Sequence, residues 1–394
     1  MPDERQIAEG RIAWTRRHMP ILVKTLDEFA QARPFDGTTL GFRLHIEPKT
    51  AVLIETLLAG GAQIIAMGNE GTTQFGTADV VADMGCEVLD RPGQGPEATA
   101  GNLVRIASAE PQLVLDNGAE LIAACLANRR LPVGATEETT SGAFRLREDH
   151  AGNVAFPVIV INDSPLKSIV ENKHGVGESV VDTVVRVTNM SFHKKRVAVY
   201  GYGWCGRGIA LYAERRGADV TVYEIDPIMG LEAAMDGFDV ADPSQVPADA
   251  EVVITATGRP EALDYRTIEQ LRDGVLLANA GHSDTEIDVA ALEQSAAGVE
   301  LSPSLKRHEF PDGKTVFCIA GGKIVNLAAH GGIGNPIEAM DLGLTLQARS
   351  LAALVAPDNE LDSGPQPVPS PVNGQVATAM LHSMGQTVRT TDTE

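Results

Sequence analysis

Apolar residues recur at helical spacing between about residues 10 and 32, at Ile12, Trp14, Met19, Leu22, Leu26 and Phe29, which predicts one or two amphipathic helices. Beyond them the period changes. β-rich runs at 39–46, 63–68, 87–89, 113–115 and 154–161 alternate with helix-period stretches at 50–58, 78–84 and 119–127. This order predicts an α/β unit with a mostly parallel sheet. Polar residues gather where its strands end, at His45, 69–74, Asp116-Asn117 and 137–140. Open parallel sheets bind their ligands at that edge. A helix over about 178–189 leads to a second series of strands, starting at Val197 and Asp219 and running over 251–255, 275–279 and 315–319. A glycine-rich turn at 330–336 and a helix over 337–354 follow. Residues 356–374, rich in Pro, Asp and Ser, read as a linker or surface strap before a short helix at 376–384 and a polar tail.

The second series opens on Val197-Ala198-Val199-Tyr200-Gly201-Tyr202-Gly203-Trp204-Cys205-Gly206, a G-x-G-x-x-G run between a strand and a helix-period segment. The next β-rich run ends on Glu224. Gly201 permits the tight turn, Gly203 lets the backbone approach a pyrophosphate, Gly206 lets helix and strand pack closely, and the helix N-terminus attracts phosphate. Glu224 then binds the adenosine ribose, and its charge repels a 2′-phosphate. The expected cofactor is NAD and not NADP. Thr255-Ala256-Thr257-Gly258 and Asn279-Ala280-Gly281-His282 end two further strands and line the same crevice, with Trp204 and Cys205 in the loop itself.

Composition narrows the partners. The 394 residues, 43% of them hydrophobic, suffice for two domain-sized cores. A formal charge of -21, with no Lys/Arg cluster between aromatics, argues against nucleic acid and against an anionic membrane. Met1-Pro2-Asp3-Glu4-Arg5 lacks an apolar signal region and no apolar run reaches spanning length, so the expected place is the cytoplasm. Cys86, Cys125, Cys205 and Cys318 lie far apart without C-x-x-C spacing, and read as reduced packing thiols with no metal site.

More specific runs surround the fingerprint. They are Thr50-Ala51-Val52-Leu53-Ile54-Glu55-Thr56-Leu57, Glu137-Glu138-Thr139-Thr140-Ser141-Gly142, Asn162-Asp163-Ser164-Pro165-Leu166-Lys167-Ser168 and Glu171-Asn172. Gly281-His282-Ser283-Asp284-Thr285-Glu286-Ile287-Asp288 and Val325-Asn326-Leu327 belong with them. From about residue 10 to 350 the chain closely resembles the S-adenosylhomocysteine hydrolase family. The expected fold is α/β, with two doubly wound parallel-sheet domains, the second a Rossmann NAD-binding domain inserted between parts of the substrate domain. Its parts are a nucleoside domain at 1–177, the NAD domain at 178–333, a return helix at 334–355, and a Pro-rich strap and tail at 356–394.

The resemblance implies a tightly held NAD that is recycled. The family oxidises a nucleoside 3′-hydroxyl, and the ketone acidifies the C4′ proton. A base removes it, the 5′ substituent leaves as a 4′,5′-alkene forms, water adds, and the ketone is reduced. By position, Lys167 and Glu138 match the base pair at the 3′-hydroxyl, His45 an acid/base near the 5′ group, His282 the histidine beside the ketone, and Glu171 the family's Asp after the Lys motif. Asn172 matches an amide near the nicotinamide, and Thr139, Thr140, Ser141, Asn326 and Glu224 match cofactor contacts. His45-Ile46-Glu47-Pro48-Lys49-Thr50 resembles the shorter archaeal and bacterial branch, some of whose members prefer an inosyl substrate. Substrate contacts are accordingly expected at Glu47, Lys49, Thr50, Asn69, Gln74, Asp116 and His330. The implied partner is a purine nucleoside or nucleoside thioether, and the implied assembly a homo-oligomer, dimer or tetramer, although the chain lacks the long branch's C-terminal tail.

Departures fall at the chemistry. Asp116-Asn117-Gly118 stands where the family has paired aspartates, Val176 where it has cysteine, and Gly334-Asn335-Pro336, after a two-residue insertion, where it has Gly-His-Pro. Asparagine cannot exchange a proton usefully near neutral pH, so Asn117 and Asn335 alter elimination and addition more than oxidation. Three readings follow: a variant 4′,5′-dehydratase or lyase, an ordinary hydrolase in which His45 and His330 cover for the missing groups, or an idle NAD-binding regulator.

Overall fold

The structure is a computed structural model that describes residues 3–388 apart from 70–71, 129, 282–283, 331 and 358. In chain order the strands are β1 (Thr39–Arg43), β2 (Gln63–Met67), β3 (Glu87–Val88), β4 (Leu113–Asp116), β5 (Gly134–Glu137), β6 (Pro157–Val160), β7 (Arg196–Tyr200) and β8 (Asp219–Tyr223). They continue with β9 (Asp239–Ala241), β10 (Val252–Thr255), β11 (Val275–Asn279), β12 (Ala297–Ser302), β13 (Leu305–Glu309), β14 (Thr315–Ile319) and β15 (Gly364–Pro367). Contacts divide the chain into two units, 1–168 with 337–394, and 169–336. The expected crossings were 177/178 and 333/334; the first falls instead inside the π-helix Lys167–Val176, which the helix Gly177–Thr188 follows without a break in sequence, and the second at the start of the helix Ile337–Leu354.

The first unit holds a wholly parallel sheet in the order β15-β6-β5-β4-β1-β2-β3. β5 escapes the hydrophobic pattern because Gly134-Ala135-Thr136-Glu137 carries little apolar bulk, yet all four residues are buried. The strap reading of 356–374 also needs correction. Gly364–Pro367 pairs with β6 as an edge strand, where proline is tolerated because the outer side needs no ladder donor. The helices Ile337–Leu354 and Ser370–Ser383 pack with each other in this unit. Asp341 of the former accepts from the N–H groups of Ile21 (3.1 Å) and Leu22 (2.8 Å), so it satisfies the open start of the helix Pro20–Ala32.

The second unit is a continuous stretch of chain. Its sheet runs β12-β13-β14-β11-β10-β7-β8-β9, parallel except where β13 pairs with β12 and β14. Val197 and Val199 of β7 enter one core, and Ala198 and Tyr200 the other, so the strand is buried on both faces. β7 lies inside the sheet, with β8 to one side and β10 to the other. That reversal of strand order is the switch point at which doubly wound sheets bind dinucleotides.

Cys86, Cys125 and Cys318 are buried, and burial pushes each thiol up to about 12. Among the described residues, no helix is long and apolar enough to cross a membrane.

Candidate active site

Because β1, β2, β4 and β5 are parallel, the residues that follow them lie along one edge of the first sheet. Four side chains, three from separate loops and Lys167 from the start of the π-helix, form a chain of contacts there. Asn69 Nδ2 donates to Asn117 Oδ1 (2.7 Å), Asn117 Nδ2 donates to Glu138 Oε2 (2.8 Å), and Lys167 Nζ meets Glu138 Oε1 (3.2 Å). Asn117, Glu138 and Lys167 are all buried. Burial raises the proton affinity of the Glu138 carboxyl, but Lys167, the Asn117 amide and nearby His45 outweigh it and hold the group below its ordinary range. The edge therefore carries a buried carboxylate with a cation on one oxygen and a neutral donor on the other.

Strand alternation explains why Glu137 and Glu138 differ. They point to opposite faces, and Glu137 turns inward to accept from the N–H groups of Gly118 (2.9 Å), Ala119 (2.8 Å) and Thr139 (2.8 Å). Burial, with the neighbouring Asp116 charge, raises Glu137 to about 8. Asp116, expected among the substrate contacts, is also turned inward. It accepts from the N–H groups of Asn117 and Ile122 (both 2.8 Å) and is fully buried, so it shapes the turn.

Glu47 and Lys49 form an ion pair (3.3 Å) at the start of the helix Pro48–Ala59, where buried Thr50 also lies. Burial pushes the Glu47 carboxyl up, and Lys49 offsets part of the shift. Gln74 N–H donates to the Ile46 carbonyl (2.9 Å), which brings the start of the next helix beside the same segment. Thr139 caps the helix Thr140–Arg147 and donates its hydroxyl to Glu137 (2.7 Å). Thr140 and Ser141 are exposed at that helix start, and Thr140 accepts from Asn162 (3.0 Å). Glu171 and Asn172 lie in the π-helix.

In the second unit, Gly201 has φ +91° and a Cβ on Gly206 would run into the Gly201 carbonyl, so the turn and the helix entry both demand glycine. Glu224 accepts from the N–H groups of Tyr202 (2.6 Å), Ile225 (2.7 Å) and Asp226 (2.9 Å). A carboxylate has about four acceptor sites, so room remains for a ribose hydroxyl. The helix Trp204–Arg215 begins at this loop, with Arg207 over the Trp204 ring (4.6 Å) and Cys205 half-buried.

Asn326 is buried, donates to Ser179 Oγ (2.9 Å) and Asn335 Oδ1 (3.3 Å), and its own Oδ1 has no protein partner. An orphaned buried acceptor and a glycine cradle fit a dinucleotide with a carboxamide. Asn335 also accepts from Ser179 Oγ (3.3 Å), so the residue at the family's histidine position is tied into an amide–hydroxyl cluster. His330 is exposed, and its backbone N–H donates to Ser304 Oγ. His282 lies outside the described residues.

Three supporting residues, Glu286, Glu137 and Arg43, have roles that the sequence did not assign. Thr255, expected at the cofactor, is fully buried and donates to Asn279 (3.0 Å), which also orders Gly281 N–H (2.8 Å) beside Ala280. Glu286, also fully buried, accepts from Thr257 N–H (2.8 Å), Thr257 Oγ1 (2.9 Å) and Gly258 N–H (2.7 Å), so it builds the strand-end loop from beneath. Glu137 and Arg43 do the same in the first unit. For Arg43 the available signal was a cation inside the apolar run Leu40-Gly41-Phe42-Arg43-Leu44, whereas Glu137 and Glu286 lie in no such run.

Comparison with known proteins agrees with this geometry. The model of the S-adenosyl-L-homocysteine hydrolase family matches residues 4–132, and that of its NAD-binding domain matches residues 172–332. An S-inosyl-L-homocysteine hydrolase of Methanopyrus kandleri is 42% identical, covering 95% of this chain and 90% of its own. An adenosylhomocysteinase of Thermotoga maritima is 38% identical, covering 96% and 95%. The chain, with its NAD-binding Rossmann domain, therefore belongs to the S-adenosyl-L-homocysteine hydrolase family.

Proposed function

We propose that the protein acts on a purine nucleoside or nucleoside thioether by transient 3′-oxidation, removal of the C4′ proton and loss of the 5′ substituent, and that it releases the 4′,5′-unsaturated nucleoside. The Gly201–Gly206 loop, Glu224 and Asn326 would hold NAD, which when bound supplies the hydride acceptor and returns the hydride to the ketone. Lys167, paired with Glu138 as an ammonium, must first release a proton to solvent; the neutral amine then takes the 3′-hydroxyl proton, and Glu138 beside it stabilises the ammonium that is restored. His45 is the titratable group left for the C4′ and 5′ end. The C4′ proton passes to a base as the C4′–C5′ double bond forms, and the 5′ group departs with its bonding electrons and a proton, so the overall reaction is redox-neutral.

Asn117 carries this reading. Its amide fills the place beside Glu138 with a group that neither gives nor takes a proton, while the Lys167–Glu138 pair persists. Reversible hydrolysis of an adenosyl- or inosyl-homocysteine is the second reading. His45 favours it, since a proton-exchanging group remains near Glu138, as do the hydrolase names of relatives. The test is to incubate the NAD-loaded protein with adenosine, inosine and both homocysteine thioethers, following reduced-nicotinamide absorbance and product masses. A nucleoside product lighter by one water supports the first reading. Homocysteine with the intact nucleoside as the main products would replace it with the second, and no cofactor reduction with any substrate would overturn both.

A further inference from the structure

Asn117 sits in a turn that is held from every side. Gly118 (φ +101°) and Ala119 (φ +59°) are consecutive left-handed residues, and alanine in that region costs on the order of 1 kcal/mol. Such a conformation persists only where its surroundings over-determine it. Asp116 and Glu137 take the N–H groups of residues 117, 118, 119 and 122. Two arginines take the carbonyls. Arg145 donates to the Gly118 oxygen (2.9 Å), and Arg43 donates to the Asn117 oxygen. Glu120 bridges the pair, at 2.7 Å from Arg43 and 3.5 Å from Arg145.

Arg43 is the last residue of β1 and only 7% exposed. A guanidinium at such depth is a heavy desolvation cost unless its partners are fixed, and all those described belong to this one turn: Asn117, Asp116 (3.5 Å) and Glu120. The amide of Asn117 must present Nδ2 to Glu138, since a carboxylate accepts only from a donor.

We propose that Arg43 is a positioning residue, which locks the Asp116–Ala119 turn so that Asn117 keeps its amide on Glu138 and the Glu138–Lys167 pair keeps its charge. The inference rests on the reading that this pair handles the substrate proton. Among the described residues, the charged and titratable groups around Glu138 are Lys167 and His45, with Asp116, Glu137, Arg43 and Glu120 around the turn. Loss of Arg43 frees the turn, removes a donor from Glu138 and raises its proton affinity.

The experiment compares wild type, Arg43→Lys and Arg43→Met as full-length NAD-loaded protein, measuring kcat and KM for substrate-driven cofactor reduction across pH, with Tm. Arg43→Met should lose about 10–100-fold in kcat with KM within a few-fold. The acid limb of its kcat profile should move to higher pH, and Arg43→Lys should recover part of both effects. A lowered Tm with unchanged kcat and an unmoved limb would overturn the proposal. If wild type oxidises no nucleoside, the functional reading has failed by itself. The proposal is then decided by titrating ¹³C-labelled glutamate carboxyls, with Glu138→Gln to assign the signal. Its midpoint should rise in Arg43→Met, and an unmoved midpoint would sink the inference. Should Arg43→Met not fold, Arg43→Lys carries both readouts.

Discussion

The two units build their strand-end loops with the same tool and use it differently. In the second, Glu224 and Glu286 spend their oxygens on backbone N–H groups and one threonine hydroxyl, with no cation in the set. In the first, Asp116 and Glu137 do likewise, but a further carboxylate, Glu138, faces a lysine, and an arginine grips the same turn. A loop made to receive a dinucleotide needs shape, which neutral donors and buried acceptors supply. A loop made to move a proton needs opposed charges whose proton affinities are driven apart. Glu137, raised to about 8, and Glu138, held below its ordinary range, are neighbours in sequence.

The comparison breaks most visibly at Gly206. Gly206→Val forces a side chain against the Gly201 carbonyl and should abolish NAD retention, measured as nucleotide released from the denatured purified protein. Retained cofactor would mean that the close approach is not what holds it. Lys167→Met should leave NAD content intact while substrate-driven cofactor reduction falls about 10²–10⁴-fold, read in a single turnover. Equal loss of NAD in that variant would erase the division between shape and charge. The smallest effect is a slope. Glu137 has its folded value raised above the unfolded 4.5 to about 8, so between those pH values the folded state keeps a proton that the unfolded state releases. Stability from this group is thus full below about 4.5 and is lost as pH rises towards about 8. Glu137→Gln should flatten the Tm profile over that window, and an unchanged slope would show that another group carries it.

Legibility divided along the same line. The β7–Gly201–Glu224 fingerprint was readable because its glycines answer to backbone geometry, which depends on local sequence. Helix Ile337–Leu354 was readable because a proline-free run rich in Leu and Ala follows Pro336. β5 and β15 were not, since burial of Thr136 and Glu137, and pairing of Pro365 beside β6, are decided by distant partners. In the first unit, His45, Asn117, Glu138 and Lys167 were named from resemblance, but the chain of donors that joins Asn69 to Lys167 through Asn117 and Glu138 was not visible. Nor were Arg43 and Asp116 as shapers of one turn, because nothing in a sequence tells an inward acid from an outward one.

The contact between Asp341 and the start of the helix Pro20–Ala32 also bears on how the chain is made. As synthesis proceeds, the first 168 residues emerge without the carboxylate that caps that helix and without the edge strand that covers β6. The second unit needs only its own continuous stretch, so it can close while the first still waits for residues 337–394. The unit that holds Glu138 and Lys167 is therefore the later of the two to close, and a chain truncated before Asp341 would carry a finished nucleotide fold together with an uncapped, open-edged sheet.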